Sequence, residues 1–475
     1  MEKINSLESL KLILEKDKKW GVYHIGKYYF TIHTNRKKEE VGLVNEYNEL
    51  NAENQELLQR ENLPALIHEY IHYLHETSTI VGNASLLYDL ELISNFSKSL
   101  VLNNNEVYTC GFENGKENWQ NFVAAKMSQD TIMGDFHHEI SGRLIQIKSI
   151  KTVKQELKFS LQNQVNTRDF SVPELQFDML INGSKKSIKI RFGKFFIYEG
   201  IAYELDRIVD MKMRQDTKIK DELKGTEYTV LRMIAKYKIP LIDTKTFLSL
   251  AILSLQYLEC GSKFLSYLDT VNDDFKKGIK MDESISRIKS EVSNYLRQNK
   301  SSFFCMQDVF KKTFESRHQL FRAFDHLTVQ TKDFYNKRIE NPTFEIELIM
   351  DGKFKELLET ANTCDYIYIF DDEEDYMRDF IGSTLDEEVS QSLKALIAFA
   401  DFYRSHTIHP TEKIEKTGHK CPFYYSCSAS LRQDYKDICS EKPWRIFEIS
   451  AQTDRKYCWY GQGVQEMVGQ NIKRD

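Results

Sequence analysis

The chain has 475 residues, 41% hydrophobic and 29% charged, which leaves room for roughly two to four domains with substantial cores. A formal net charge of −6 gives no reason to expect nucleic acid as a partner, and no stretch approaches the ~18 uninterrupted apolar residues that mark a membrane span. Met1 to Trp20 lacks an apolar signal core, so the eight cysteines are expected in a reducing cytoplasm, as thiols or metal ligands rather than disulfides.

In chain order, residues 1–20 read as an amphipathic helix on Leu7, Leu10, Ile13 and Leu14. Gly21 to Ile25 and Lys27 to Thr34, aromatic and β-branched around Gly26, predict a hairpin with His24 and His33 on its surface. Asn45 to Gln59 reads as a polar helix. The next segment, Ala65 to Glu76, contains His68-Glu69-Tyr70-Ile71-His72. Pro64 suits the first turn of a helix, and Leu63, Leu66, Ile67, Tyr70, Ile71 and Leu74 recur at helical spacing as an apolar face. His68, His72, His75 and Thr79 form a separate stripe. Residues four apart stand one turn above each other, so His68 and His72 can point two imidazoles at one metal ion. Glu69, rotated by about 100°, reaches a water beside that ion rather than a ligand position. The pattern is similar to that of zincins, with two His on zinc and the Glu as general base. Gly82-Asn83 ends or bends this helix, and Ala84 to Leu100 is another.

From 103 to 194 the pattern changes to alternation. Gln146 to Ile150, Leu157 to Leu161 and Leu175 to Ile181 read as strands, and Asn182-Gly183-Ser184 turns the last of these into Ser187 to Phe192. Helical spacing resumes near Phe195. It predicts helices over Phe247 to Tyr257 with Asp243 as cap, Ile285–Leu296, Gln307–Leu327, Lys353–Ala361 and Glu388–Phe402. The charge run Asp371 to Asp375 reads as a solvated loop leading into a helix.

Two His do not complete a catalytic zinc site, which usually has three protein ligands and an open position. Metzincins place a Gly three residues after the second His and a third His three residues later. His75 and Ser78 occupy those positions here, so the helix continues and the third ligand must come from elsewhere. Phe195-Phe196-Ile197-Tyr198-Glu199-Gly200-Ile201-Ala202-Tyr203-Glu204-Leu205-Asp206 resembles a segment of the gluzincin class of zinc metallopeptidases, many of which carry Glu-Gly-x-Ala on a second helix. The resemblance rests on this segment and the His-Glu-x-x-His pattern alone. It departs from the usual spacing, because Glu199 lies far downstream with the β-rich segment between.

The resemblance implies Glu199 as the third ligand, with Gly200 and Ala202 letting two helices approach. Asp206 lies about two turns along the same face and would orient a ligand His. Tyr203 is a candidate oxyanion donor, and His75 a candidate support behind the ligands. Glu204 is the runner-up ligand. It lies about 140° round the helix from Glu199 and is expected to point outward. His137 and His138 are expected on the surface.

Near the C-terminus, Cys421, Cys427, Cys439 and Cys458 cluster beside His419, with 5, 11 and 18 residues between successive cysteines. Such clustering points to a second site holding Zn²⁺ or an iron–sulfur cluster. Cys110, Cys260, Cys305 and Cys364 are scattered and read as core thiols. Arg432, Lys436, Lys442 and Arg445 alternate with Tyr424, Tyr425, Tyr435 and Trp444, and in an acidic chain read as a folded interaction surface.

These observations predict an α+β, mainly helical chain. The N-terminal part of a zincin-like catalytic core occupies 1–102, a β-rich insertion 103–194, a second catalytic helix 195–214, a helical domain 215–410 and a Cys-rich module 411–475. The expected activity is zinc-dependent hydrolysis of peptide bonds in a protein substrate, gated by a regulatory partner or narrow in its substrate. The alternative is a non-catalytic zincin-fold regulator that binds a protein partner through its helical and Cys-rich regions. Glu69 speaks against that alternative, because a structural site needs no general base. The strand Tyr28–Thr34 is a candidate edge for pairing with an extended substrate.

Overall fold

The structure, a computed structural model, describes residues 21–24, 29–34, 64, 67–98, 100–103, 106–109, 116–134, 143–161, 164–181, 184–214, 227–313, 318–354, 356–357, 367–371, 376–379, 387–407, 420–424, 433–445 and 458–468. The helices expected over 1–20 and 45–59 lie outside these residues, as do His137, His138, Cys110, Cys364, His419 and Cys427.

The fold is α+β and mainly helical. Strands β1 (Gly21–His24) and β2 (Tyr29–Thr34) open it, followed by helix α1 (residues 67–78) and α2 (Ile80–Lys98). A short antiparallel pair follows, β3 (Leu100–Asn103) and β4 (Glu106–Thr109), then α3 (Lys116–Met133). Three antiparallel strands come next: β5 (Arg143–Leu161), β6 (Gln164–Ile181) and β7 (Ser184–Arg191). Helices α4 (Lys194–Arg214), α5 (Glu227–Lys238), α6 (Thr244–Ser254), α7 (Cys260–Lys276), α8 (Met281–Thr313), α9 (His318–Glu340) and α10 (Phe344–Met350) then form the bulk of the fold. Strands β8 (Ile367–Asp371) and β9 (Tyr376–Asp379) precede α11 (Glu387–Thr407), α12 (Lys436–Glu441), a 3₁₀ turn (Pro443–Arg445) and α13 (Trp459–Val468). No helix among the described residues is long and apolar enough to cross a membrane.

The expected N-terminal hairpin is present, but its role is corrected. β2 pairs antiparallel with β1 on one side and parallel with β8 on the other, in the order β1-β2-β8-β9. Both edges of β2 are therefore occupied, and it has no free edge to offer an extended substrate. Its parallel partner lies more than 300 residues away and leaves no trace in the local pattern. The same sheet corrects the reading of the charge run. Asp371 ends β8 and Tyr376 opens β9, so the run joins two strands rather than leading into a helix.

In the middle sheet, Phe177 and Leu175 of β6 face Ile188 and Ile190 of β7 in register, and the first two are fully buried. β5 runs through both alternating segments as one strand. Between them Lys151 to Glu156 is a largely polar run in which only Val153 and Gln155 are half-buried, so the one strand reads as two. Helix α3 lies within the stretch expected to be β-rich. Among its residues 123–133, whose side chains are described, Ala125, Ser128 and Ile132 are buried at helical spacing, a sparse stripe that does not stand out in the sequence.

α6 is buried on every side, from Thr246 to Ser254, and forms the middle of the core. The Asp243 carboxylate accepts from Thr246 N–H at 2.9 Å and caps it as expected. The expected helix Gln307–Leu327 is divided between α8, which ends at Thr313, and α9, which begins at His318. α8 already begins at Met281, well before Ile285, and α11 extends to Thr407.

Candidate metal centre

α1 is a helix because Ile67, Tyr70, Ile71 and Leu74 form one apolar face, and all four are fully buried. The chain bends at Thr79 and re-enters helix at Ile80. Thr79 holds the bend: its hydroxyl donates to the His75 carbonyl at 2.6 Å and accepts from Gly82 N–H at 3.1 Å. Gly82 permits the close return, since a Cβ there would stand 2.3 Å from the His75 carbonyl oxygen.

With its apolar face buried, α1 presents His68 and His72 together, their ring centroids 4.9 Å apart. α4 supplies the third group. Glu199 Oε2 stands 3.6 Å from His68 Nε2 and 3.6 Å from His72 Nε2. Among the described residues, His68, His72 and Glu199 are the set of three such side chains whose ligand atoms all lie within 4.8 Å of one another. Gly200 sets how close α4 comes to α5, because a Cβ on it would meet Leu231 Cβ at 2.5 Å.

The donor set fits a zinc ion. His68 Nδ1 is bonded to Asp206 Oδ2 at 2.8 Å, so with a cation in place the ring proton would stay on Nδ1 and Nε2 would be left to bind it. Burial alone would push His68 to a lower pKa, but hydrogen bonds to Asp206 and Glu199 and the charge of Glu69 hold it well above its usual value. Burial likewise disfavours ionised Glu199, yet His72 and His68 hold its carboxyl well below the usual range. These carboxylates create a field that favours positive charge between the rings. The side chains of His68 and Glu199 keep 14% and 17% exposure, so the set is reachable from solvent.

Around the set, Tyr198 stacks on His72 with centroids 6.3 Å apart and meets His75 at 5.5 Å. Its hydroxyl pairs with Thr79 Oγ1 at 3.3 Å. Lys194 lies over the other part of this contact, 4.6 Å from the Tyr198 centroid and 3.7 Å from Glu76 Oε1, with both charged side chains fully buried.

His75 is buried rather than turned to the cleft. Its Nε2 donates to Glu345 Oε1 at 3.0 Å, and Arg338 Nη1 donates to Glu345 Oε2 at 2.5 Å. Arg338 also donates to Ser78 Oγ at 3.1 Å and to the Pro342 carbonyl at 2.8 Å. Glu204 corrects the outward reading. It is 1% exposed, accepts from Arg232 Nε at 2.6 Å and lies 3.7 Å from Arg207, which ties it away from the metal set.

Tyr203 packs on Tyr228 at 5.5 Å, with Arg207 over its ring. A second phenol beside the metal set, besides Tyr198, is Tyr228 on α5, whose ring lies 6.1 Å from that of His68. Burial raises its pKa, and the charges of Glu199, Glu227, Glu69 and Asp206 raise it further, so its hydroxyl stays protonated. Sequence reading missed Tyr228 because a Tyr on an ordinary amphipathic helix carries no motif. It missed the Arg338–Glu345 pair because that pair meets α1 only in space. Comparison of the chain with protein-family models, with curated proteins and with solved structures finds no match.

Proposed function

We propose that the protein is a zinc-dependent peptidase of zincin type. The observation that carries this reading is the convergence of His68, His72 and Glu199, with Asp206 behind His68 and Glu69 on the adjoining helical position. His68, His72 and Glu199 would hold the ion. A bound zinc supplies Lewis-acid charge that acidifies water and polarises a peptide carbonyl.

The chain's own residues do the rest. Asp206 fixes the His68 tautomer and the direction of its ring. Glu69, 5% exposed and near enough for its charge to act on both His68 and Tyr228, accepts a proton from the attacking water and returns it to the leaving amine. Tyr228 keeps its proton and donates to the carbonyl oxygen as that atom gains negative charge. The long helical portion outside this core leaves room for a regulatory partner or for recognition of one protein substrate.

The test is Glu69→Gln, which keeps the shape of the site and removes the base. Zinc content is expected to stay at the wild-type level while cleavage falls by about 10²–10⁴-fold. A survey of new peptide termini in a lysate, wild type against Glu69→Gln, reads substrate and activity together. Equal cleavage by the two proteins would overturn the assignment.

A further inference from the structure

Cys421, Cys439 and Cys458 come from three separate stretches of the C-terminal part, and none of them is in a disulfide. Cys421 lies in a turn, Cys439 in α12, and Cys458 immediately before α13. The turn and α12 are joined at the cysteines themselves, because Cys421 N–H donates to the Cys439 carbonyl at 2.8 Å. The turn and α13 are joined one or two residues away, where Phe423 meets Trp459 edge-on at 5.7 Å. The Cys458 and Cys439 sulfurs act electrostatically on Cys421, so the three share one neighbourhood.

The backbone is arranged toward sulfur as an acceptor. Phe423 N–H points at Cys421 Sγ at 3.4 Å, and Gly461 N–H points at Cys458 Sγ at 3.3 Å. A neutral thiol accepts hydrogen bonds only weakly, whereas thiolates on a metal are commonly held by such N–H groups. Phe423 and Tyr460, both almost fully buried, shelter the group, and Tyr460 is tied to Asp401 of α11 at 3.3 Å. Three thiols gathered without disulfides, two of them with backbone N–H groups aimed at the sulfur, have the chemistry of a soft-metal site.

We propose that Cys421, Cys439 and Cys458 hold a thiolate-bound metal centre, separate from the His68 set, that clasps α12 and α13 to the turn at Cys421. The three sulfurs are spread more widely than the donor atoms at His68. That spread suits an iron–sulfur cluster, whose cysteines bind different irons, and also a single zinc that draws its thiolates together on binding. This centre does not depend on the peptidase reading.

The test is metal content of the full chain purified without oxygen. Wild type is expected to carry metal at two sites. His68→Ala with His72→Ala should remove one and leave the other, whereas Cys421→Ser with Cys458→Ser should do the reverse. Iron with acid-labile sulfide and visible charge-transfer absorption identifies a cluster, and zinc without them identifies a single ion. Should the Ser variant fail to fold, the doubly His-substituted protein is titrated with an organomercurial in the presence of a chromophoric chelator. Metal release in step with thiol loss supports the centre. A doubly His-substituted protein without metal, the same protein keeping its metal after the thiols are blocked, or a Ser variant with the full wild-type metal content overturns it.

Discussion

His68 Nδ1 and Asp206 Oδ2 lie 2.8 Å apart across 138 residues of chain. One proton in that bond decides which nitrogen of His68 is left to bind a cation. Asp206→Asn keeps the volume but weakens this control, since an amide accepts from or donates to either tautomer. Zinc affinity is expected to fall about 10–100-fold, with the folded baseline unchanged. Competition with a chromophoric chelator measures it, and an unchanged affinity would show that Asp206 does not position the ligand.

Tyr228→Phe removes one hydroxyl beside the His68 ring. If that hydroxyl donates to the developing oxyanion, turnover should drop by about 10²-fold or more while zinc content and KM stay close to wild type. Steady-state kinetics on a substrate identified by the terminus survey separates the two quantities. A change confined to KM would assign Tyr228 to substrate binding instead.

Arg338→Met strips the cation from a fully buried carboxylate. Among the described residues Glu345 would then keep His75 as its ion-pair partner, and stability is expected to fall by about 3–5 kcal/mol. Urea unfolding reads this directly. A loss below about 1 kcal/mol would mean that Glu345 takes up a proton at little cost.

The same network predicts acid sensitivity. Burial lowers His75 from its ordinary 6.5 to about 4, outweighing the pull of Glu345. The unfolded chain therefore binds a proton at His75 that the folded chain refuses, and stability falls as pH drops from about 6.5 to about 4. The full shift corresponds to about 3 kcal/mol. Burial opposes ionised Glu345, but Arg338 and His75 hold it down at about 2. Its contribution is present above its ordinary 4.5 and is lost as pH falls from there to about 2. Thermal melts from pH 7 to pH 4 should show the His75 part, and His75→Gln should flatten it.

Gly200→Ala would set a methyl group 2.5 Å from Leu231 Cβ. α4 must then retreat from α5, taking Glu199 with it. A loss of about 1–3 kcal/mol is expected, together with weaker zinc binding. Denaturation and chelator competition on one preparation test both, and an unaltered pair of values would show that α5 gives way instead.

The sequence made half of the site readable. His68, Glu69 and His72 fall on one turn of helix, so their geometry follows from spacing alone. Glu199 and Asp206 could be paired with them only through the likeness of a second short segment. Tyr228 and Glu345 could not be found that way, because what places them is helix packing between stretches far apart in the chain. The fold divides along the same line. The β6–β7 hairpin is written locally in Asn182-Gly183 and the alternation around it. The parallel pairing of β2 with β8 is not, so from sequence alone the strand reads as an edge. Glu204 reads as outward because a helical wheel shows which way a residue points and not that Arg232 meets it there.

The positions of His72 and Glu199 also bear on when the site can exist during synthesis. The first two donors leave the ribosome early, on a helix that by itself offers only a pair of imidazoles. The third follows only after the whole of β5, β6 and β7 has been made. A nascent chain therefore passes through a long interval in which it carries the His-Glu-x-x-His stretch without its third donor, and the three groups can meet only when α4 emerges and docks.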